Sequence, residues 1–208
     1  MTDKSQSFFD KVSRRSSKVQ QELKGTALKT LEATQSHLAS EKSVLDFGCG
    51  LGDLTNAIAE KVKTVHAIDT SSGMLEVARA RAGQRGIENV KFEQSGLSDV
   101  DYPDGGFDVV TAFNVLHYLE DTRAASRRIS ELISPGGLFI SSTACLGERK
   151  SLLGTLVLIL TKLKVMPYMR FYAESELEDI IASGGFQIVE TGKLSKLPDH
   201  FIVAQKME

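Results

Sequence analysis

Asp46, Gly48, Gly50 and Gly52 occupy alternate positions in VLDFGCGLGDL at 44–54, and a second acid, Asp69, ends VHAID at 65–69. Glycine lets a chain turn without a Cβ clash and lets a ligand press against the main chain. A helix opening at Leu54, with Ala57 and Ile58 on its apolar side, would offer unpaired backbone N–H groups to that ligand. A carboxylate about 20 residues beyond the first glycine of such a loop is placed to grip ribose hydroxyls. Together the two segments predict a nucleoside crevice. A nicotinamide-binding turn would carry its third glycine at position 53, where Asp53 stands instead, and an acid there sits badly beside a pyrophosphate.

The elements that must hold these residues alternate along the chain. Strands are expected at 43–47, 64–69, 90–93, 107–113 and 137–143, and helices at 53–61, 72–83 and 121–133. Each strand is rich in Val, Ile or Phe and bounded by Gly, Pro, Asn or Asp, and alternation at this rate means crossover units on a parallel sheet. Ser175 and Glu178 form a capping-box pattern opening a helix at 175–183, with Gly184 and Gly185 as its stop. FQIVET at 186–191 and HFIVAQK at 200–206, joined through Pro198 and Asp199, predict a hairpin that leaves the final strand antiparallel. Ahead of the sheet, Val19, Leu23, Ala27, Leu31 and Leu38 repeat at helical spacing over 17–39, behind a Ser-rich tail expected to be mobile.

With 208 residues, 41% hydrophobic and 25% charged, the chain is sized for one domain over 1–208. A net charge of -2 gives no global field for nucleic acid. The local basic run Lys11, Arg14, Arg15, Lys18 and Lys24 has no interleaved aromatic residues and reads as a solvated face, so no nucleic-acid partner is expected. Cys49 and Cys145 lack metal-ligand spacing and are expected to be free thiols. The amino terminus lacks the apolar run of a secretory signal and LLGTLVLIL at 152–160 is too short to span a bilayer, so a cytoplasmic location is the expectation.

The strand ending in Asp46, its Gly48-x-Gly50-x-Gly52 loop and Asp69 on the next strand resemble the class I S-adenosylmethionine-dependent methyltransferases. The likeness is to the small-molecule branch related to ubiquinone-biosynthesis C-methyltransferases and covers roughly 43–143. It implies an α/β, Rossmann-like three-layer sandwich on a seven-stranded, mostly parallel sheet with an antiparallel last strand. It also implies S-adenosyl-L-methionine as cofactor and S-adenosyl-L-homocysteine as product. By the same resemblance the glycine loop passes under the methionine moiety, and Asp46 acts near its amino group or through water. Asp69, beside Thr70, takes both ribose hydroxyls, a charge-assisted arrangement roughly twice as strong as neutral bonds. Met74 lies on the adenine face, the Leu97 N–H beside Gly96 donates to the ring, and Asn114 meets the methionine end. His117, whose ordinary pKa near 6.5 suits a general base, stands beside the sulfonium and acceptor as base or positioning group. One departure is plain: the usual Gly-Asp-Ala at the third strand's exit is Ser95-Gly96-Leu97, so Ser98 or Asp99 is expected to accept from the adenine amino group.

Asn114-Val115-Leu116-His117 replaces the Pro-Pro motif of amino-methylating nucleic-acid enzymes, and no carboxylate cluster for a divalent ion is visible, so no metal is expected and activity should persist in a chelator. The expected acceptor is a small molecule, apolar or amphipathic. Its recognition is assigned to an insertion at 144–174, too long for a simple connection, where Leu152, Leu153, Leu156, Ile159 and Leu160 form a lid or merely complete the core. Tyr168, Arg170 and Tyr172 stand around its return, and Arg149, Lys150, Lys162 and Lys164 flank the stripe in a way that also suits contact with a membrane surface. The leading helix could cap its own site or a neighbour's. A non-catalytic cofactor-binding or scaffold protein on the same fold is the alternative function.

Overall fold

Val44, Leu45, Asp46 and Phe47 are all buried, and so are Val109, Val110, Thr111, Ala112 and Phe113, which is the burial of strands covered on both faces. The computed structural model describes residues 3–16, 22–147, 167–195 and 198–207. Its strands are β1 (Ser43–Phe47), β2 (Thr64–Asp69), β3 (Val90–Gln94), β4 (Phe107–Phe113), β5 (Ile133–Ala144), β6 (Phe186–Gly192) and β7 (Asp199–Lys206). They form one seven-stranded sheet in the order β3-β2-β1-β4-β5-β7-β6. β1 runs parallel to β2 and β4, whereas β7 is antiparallel to both β5 and β6. The strand order reverses between β1 and β4, and the carboxyl ends of strands at such a switch point open a crevice.

The helices are α1 (Asp3–Ser13), α2 (Gly25–Gln35), α3 (Asp53–Ala59), α4 (Ser72–Gln84), α5 (Thr122–Leu132) and α6 (Glu174–Ala182), with a 3-10 turn at Leu116–Tyr118. Alternate residues of β1 feed the two cores, Val44 with Ile58 and Val65 on one face, Leu45 with Ile129 and Ile180 on the other. That makes the three layers of an α/β Rossmann-like sandwich.

Several expectations need correction. The tail placed at the amino terminus is helical in α1, because its residues find partners elsewhere in the fold: Asp10 bonds the start of α4 and Phe9 packs edge-on against Tyr118. The leading helix is shorter than 17–39, running Gly25–Gln35, and Val19 lies outside the described residues. The Ser175–Glu178 capping box does not form: Ala173 is the N-cap with no side-chain bond, and Glu178 instead meets His200 Nε2 at 2.7 Å. β5 begins at Ile133, ahead of the expected 137, as the Pro135-Gly136-Gly137 stretch carries a register shift against β4.

The apolar insertion falls largely outside the described residues, including Arg149, Lys150, Leu152, Leu153, Leu156, Ile159, Leu160, Lys162 and Lys164. Its described flanks are drawn together, Gly147 N donating to Tyr172 O at 2.9 Å. Tyr172 is fully buried, its hydroxyl 2.5 Å from Thr122 Oγ1, so it serves the core, while Tyr168 is exposed. No helix among the described residues is long and apolar enough to cross a membrane.

Candidate active site

The registers of β1 and β2 pair Asp46 with Ala67 and Phe47 with Ile68, which sets the glycine loop beside Asp69. Gly48 N and Cys49 N both donate to Ile68 O, at 2.8 and 3.1 Å, so the loop folds over the end of β2. Asp69 Oδ2 accepts from Gly50 N at 2.9 Å and Oδ1 from Ser71 N at 2.8 Å. An ionised carboxylate has about four lone-pair sites, so capacity is left for ligand hydroxyls after the backbone has fixed its orientation. Burial pushes the Asp69 pKa up, the backbone donors pull against it, and the Asp10 carboxylate adds to the rise.

The loop glycines serve different ends. Gly48 has φ +74° and a Cβ there would stand 2.6 Å from Val115 Cγ2, and at Gly52, the N-cap of α3, a Cβ would stand 2.8 Å from Ala78 Cβ. At Gly50 nothing lies within 4 Å of where a Cβ would be. That open space belongs to a cavity of about 590 Å³ along the carboxyl ends of the strands, within the roughly 300–1,000 Å³ range of ligand pockets.

Of the residues expected to bind cofactor, Gly48, Gly50, Asp69, Thr70 and Met74 line this cavity, as do Gly96, Leu97 and Asn114. Ser98 and Asp99 line it too, Ser98 Oγ donating to Asp99 Oδ1 at 3.1 Å. Asn114 has φ +55°, the one positive φ on a non-glycine among the described residues, and its N donates to Ser142 O at 2.7 Å. Asparagine tolerates that left-handed conformation better than most side chains, and strain of this kind gathers at ligand sites.

Gly52, Asp46 and His117 are not among the described lining residues. Asp46 is buried with both oxygens committed, Oδ2 to Thr55 Oγ1 at 2.5 Å and Oδ1 to Thr111 Oγ1 at 2.7 Å. It ties the end of β1 to α3 and β4. Burial raises its pKa while the two hydroxyls lower it.

His117 lies in the 3-10 turn, 3% exposed, with its ring against Tyr118 at 4.2 Å and its carbonyl accepting from Arg170 N at 2.8 Å. Burial pulls its pKa down from 6.5 to about 4. A histidine whose folded pKa lies below its unfolded value gives stability that is fully present above about pH 6.5 and is lost as pH falls toward the folded value. Between pH 7 and 4.5 the wild type should therefore lose about 2 to 3 kcal/mol more unfolding free energy than His117→Gln, read from urea transitions at both pH values. Equal losses would contradict a neutral buried imidazole.

Tyr118 lines the cavity from the 114–119 stretch expected beside the sulfonium, and Phe9, Glu120, Asp121 and Arg128 line it without having been expected from the sequence. For Glu120 the signal that could have found it was continuity with NVLHYL at 114–119; for Phe9 it was the Phe8-Phe9 pair beside Asp10, apolar residues out of keeping with a solvated tail.

A family model described as a methyltransferase domain matches residues 38–190. The chain belongs to that methyltransferase family. S-adenosylmethionine is the cofactor that family membership assigns to it, and the open space at Gly50 together with the Asp69 carboxylate fits such a group. An uncharacterized methyltransferase, YcgJ, of Bacillus subtilis is 32% identical over 116 residues, 56% of this chain and 44% of the relative. The chain thus spans less than half the length of that relative. A ubiquinone biosynthesis O-methyltransferase of Acinetobacter baumannii is 28% identical over 155 residues, 72% of the chain and 65% of the relative. The expected likeness to the C-methylating ubiquinone branch is thereby met only at the coarser level, a class I methyltransferase with a distant ubiquinone O-methyltransferase relative. Among solved structures, a SAM-dependent methyltransferase from Aquifex aeolicus superposes with a TM-score of 0.72 at 18% identity, covering 99% of each chain, a likeness of fold.

Proposed function

We propose that this methyltransferase moves a methyl group from S-adenosylmethionine to a small apolar or amphipathic acceptor by in-line displacement, releasing S-adenosylhomocysteine. The observation that carries the reading is Asp69, a carboxylate oriented by Gly50 N and Ser71 N at the wall of a 590 Å³ cavity. When bound, the cofactor supplies a methyl already activated by the sulfonium charge. The chain's own task is then alignment and exclusion of water, and orientation of two reactants is worth roughly 7 to 11 kcal/mol of barrier.

In this reading Asp69 and Thr70 hold the ribose, Met74 and Leu97 flank the adenine, and the backbone from Gly48 to Gly50 with Asn114 takes the methionine end. Asp46 braces the loop through Thr55 and Thr111, and His117 holds the turn that carries Tyr118. Asp99, at the wall where Gly96 leaves no carboxylate, accepts from the adenine amino group. Replacing Ser98 and Asp99 together by alanine should weaken binding about 10- to 100-fold, the worth of one hydrogen bond to a charged group. Unchanged affinity in calorimetry would remove them from adenine recognition. Support for an apolar acceptor comes from Phe9, Phe113 and Tyr118 in the cavity wall and from the ubiquinone relative's name.

The test is a labelled-methyl screen of the purified protein over lipid, quinone, phenol, amine and thiol extracts. Transfer into an organic-soluble product is expected. Cofactor binding without transfer to any class would favour the scaffold alternative, for which Gly96 in place of a carboxylate speaks.

A further inference from the structure

α1 crosses the start of α4 at Asp10. The Asp10 Oδ1 accepts from Ser71 Oγ at 2.5 Å and from Gly73 N at 3.3 Å, and a side chain at Gly73 would collide with Ser13 Oγ. Ser71 works in two directions: its N donates to Asp69 Oδ1 at 2.8 Å, while its Oγ accepts from Met74 N at 3.1 Å and caps α4. One residue earlier on α1, Phe9 meets Tyr118 edge-on at 5.2 Å and 81°, and both rings line the cavity. The helix therefore bridges two parts of the cavity wall, footed on Ser71 and Gly73 next to Asp69 and meeting Tyr118 through Phe9.

We infer that Asp10 is a positioning residue: it latches α1 over the crevice through Ser71, so that seating the helix and holding Asp69 ready for a ribose are one event. The inference rests on the cofactor reading above. Phe9 is part of the cavity wall, so lifting α1 widens the crevice on that side, and lifting breaks both bonds to Asp10. It also leaves Ser71 Oγ without its acceptor next to the backbone that orients Asp69. The strength of the latch then sets how long the cofactor product stays bound, and Phe9 closes the cavity wall only while the latch is made.

The test uses Asp10→Ala, which removes the acceptor, and Asp10→Asn, which keeps Oδ1 for both donors. Stopped-flow dissociation of S-adenosylhomocysteine should be about 10-fold faster from Asp10→Ala, on the scale of one lost charge-assisted bond, and should stay within about threefold of wild type for Asp10→Asn. Amide exchange of residues 3–13 in the unliganded protein should rise about 10-fold in Asp10→Ala and hardly change in α4 beyond Gly73, whose N–H loses its Asp10 acceptor. A merely structural role would lower the unfolding midpoint and leave the dissociation rate alone; that result, or equal acceleration in both variants, overturns the latch. Should the wild type bind no S-adenosylhomocysteine, the cofactor reading falls by itself and exchange of residues 3–13 decides the latch: wild-type exchange in Asp10→Ala overturns it, acceleration confined to that segment and Gly73 upholds it.

Discussion

Asp69→Ala should weaken S-adenosylmethionine binding by about 10²- to 10⁴-fold. Two hydroxyls donating to one ionised carboxylate are worth about 1.5–3 kcal/mol each, and the sum converts to that range of dissociation constant. The same change leaves the N–H groups of Gly50 and Ser71 without their acceptor, which loosens the loop and adds to the loss. Asp69→Asn keeps one acceptor oxygen and should fall between the variant and wild type, so calorimetry on all three separates the charge from the geometry. Acid should act through the same group. Burial raises the Asp69 pKa, so its contribution to folding is present below the unfolded pKa and is lost as pH rises through the folded one. Binding runs the opposite way, because a ribose on this side chain needs the ionised acceptor: affinity should fall as pH drops through a pKa raised from the ordinary Asp value. A dissociation constant for Asp69→Ala within threefold of wild type would take the ribose off this side chain.

Gly50→Ala and Gly52→Ala should fail in different ways although they are two residues apart and both have positive φ, +52° and +77°. Each incurs about 1–2 kcal/mol for a side chain in the left-handed region. At Gly52 the new methyl also meets Ala78 Cβ at 2.8 Å, between α3 and α4, and overpacking adds about 1–3 kcal/mol. Gly52→Ala should therefore lose roughly 2–5 kcal/mol of unfolding free energy. At Gly50 the methyl meets no protein atom within 4 Å and points into space the cofactor would fill. Gly50→Ala should keep most of its stability and lose at least about 30-fold in affinity, the equivalent of about 2 kcal/mol of binding. Urea transitions and calorimetry on both proteins read the two effects. Similar losses of stability with unchanged affinity in the Gly50 variant would mean that the loop is structural only.

β1, β2 and β4 were legible because they are largely buried on both faces and punctuated by glycine and acid. The spans 43–47, 64–69 and 107–113 match β1, β2 and β4 end for end, since a continuous apolar run bounded by turn residues admits few alternatives. Asp69 and the glycines were legible for a related reason, as their spacing along a β-loop-helix-β unit fixes where they must lie. What local pattern could not show was the direction of side chains whose partners are distant. Asp46 is committed to Thr111, 65 positions away, and Glu178 leaves its capping role for His200, 22 positions away. α1 was hidden for the same reason. Its polar, serine-containing sequence reads as solvated until Ser71, 61 positions from Asp10, supplies the partner that makes a helix there worthwhile.

The side chain at position 69 is expected to receive a nucleoside's sugar beneath a glycine bend, and crystals of the protein grown with sinefungin would show whether it does. The expected map shows both ribose hydroxyls within about 3 Å of the Asp69 carboxylate, with the amino-acid end of the ligand against the main chain at Gly50. A ligand bound elsewhere, or a ribose with no contact to Asp69, would contradict it.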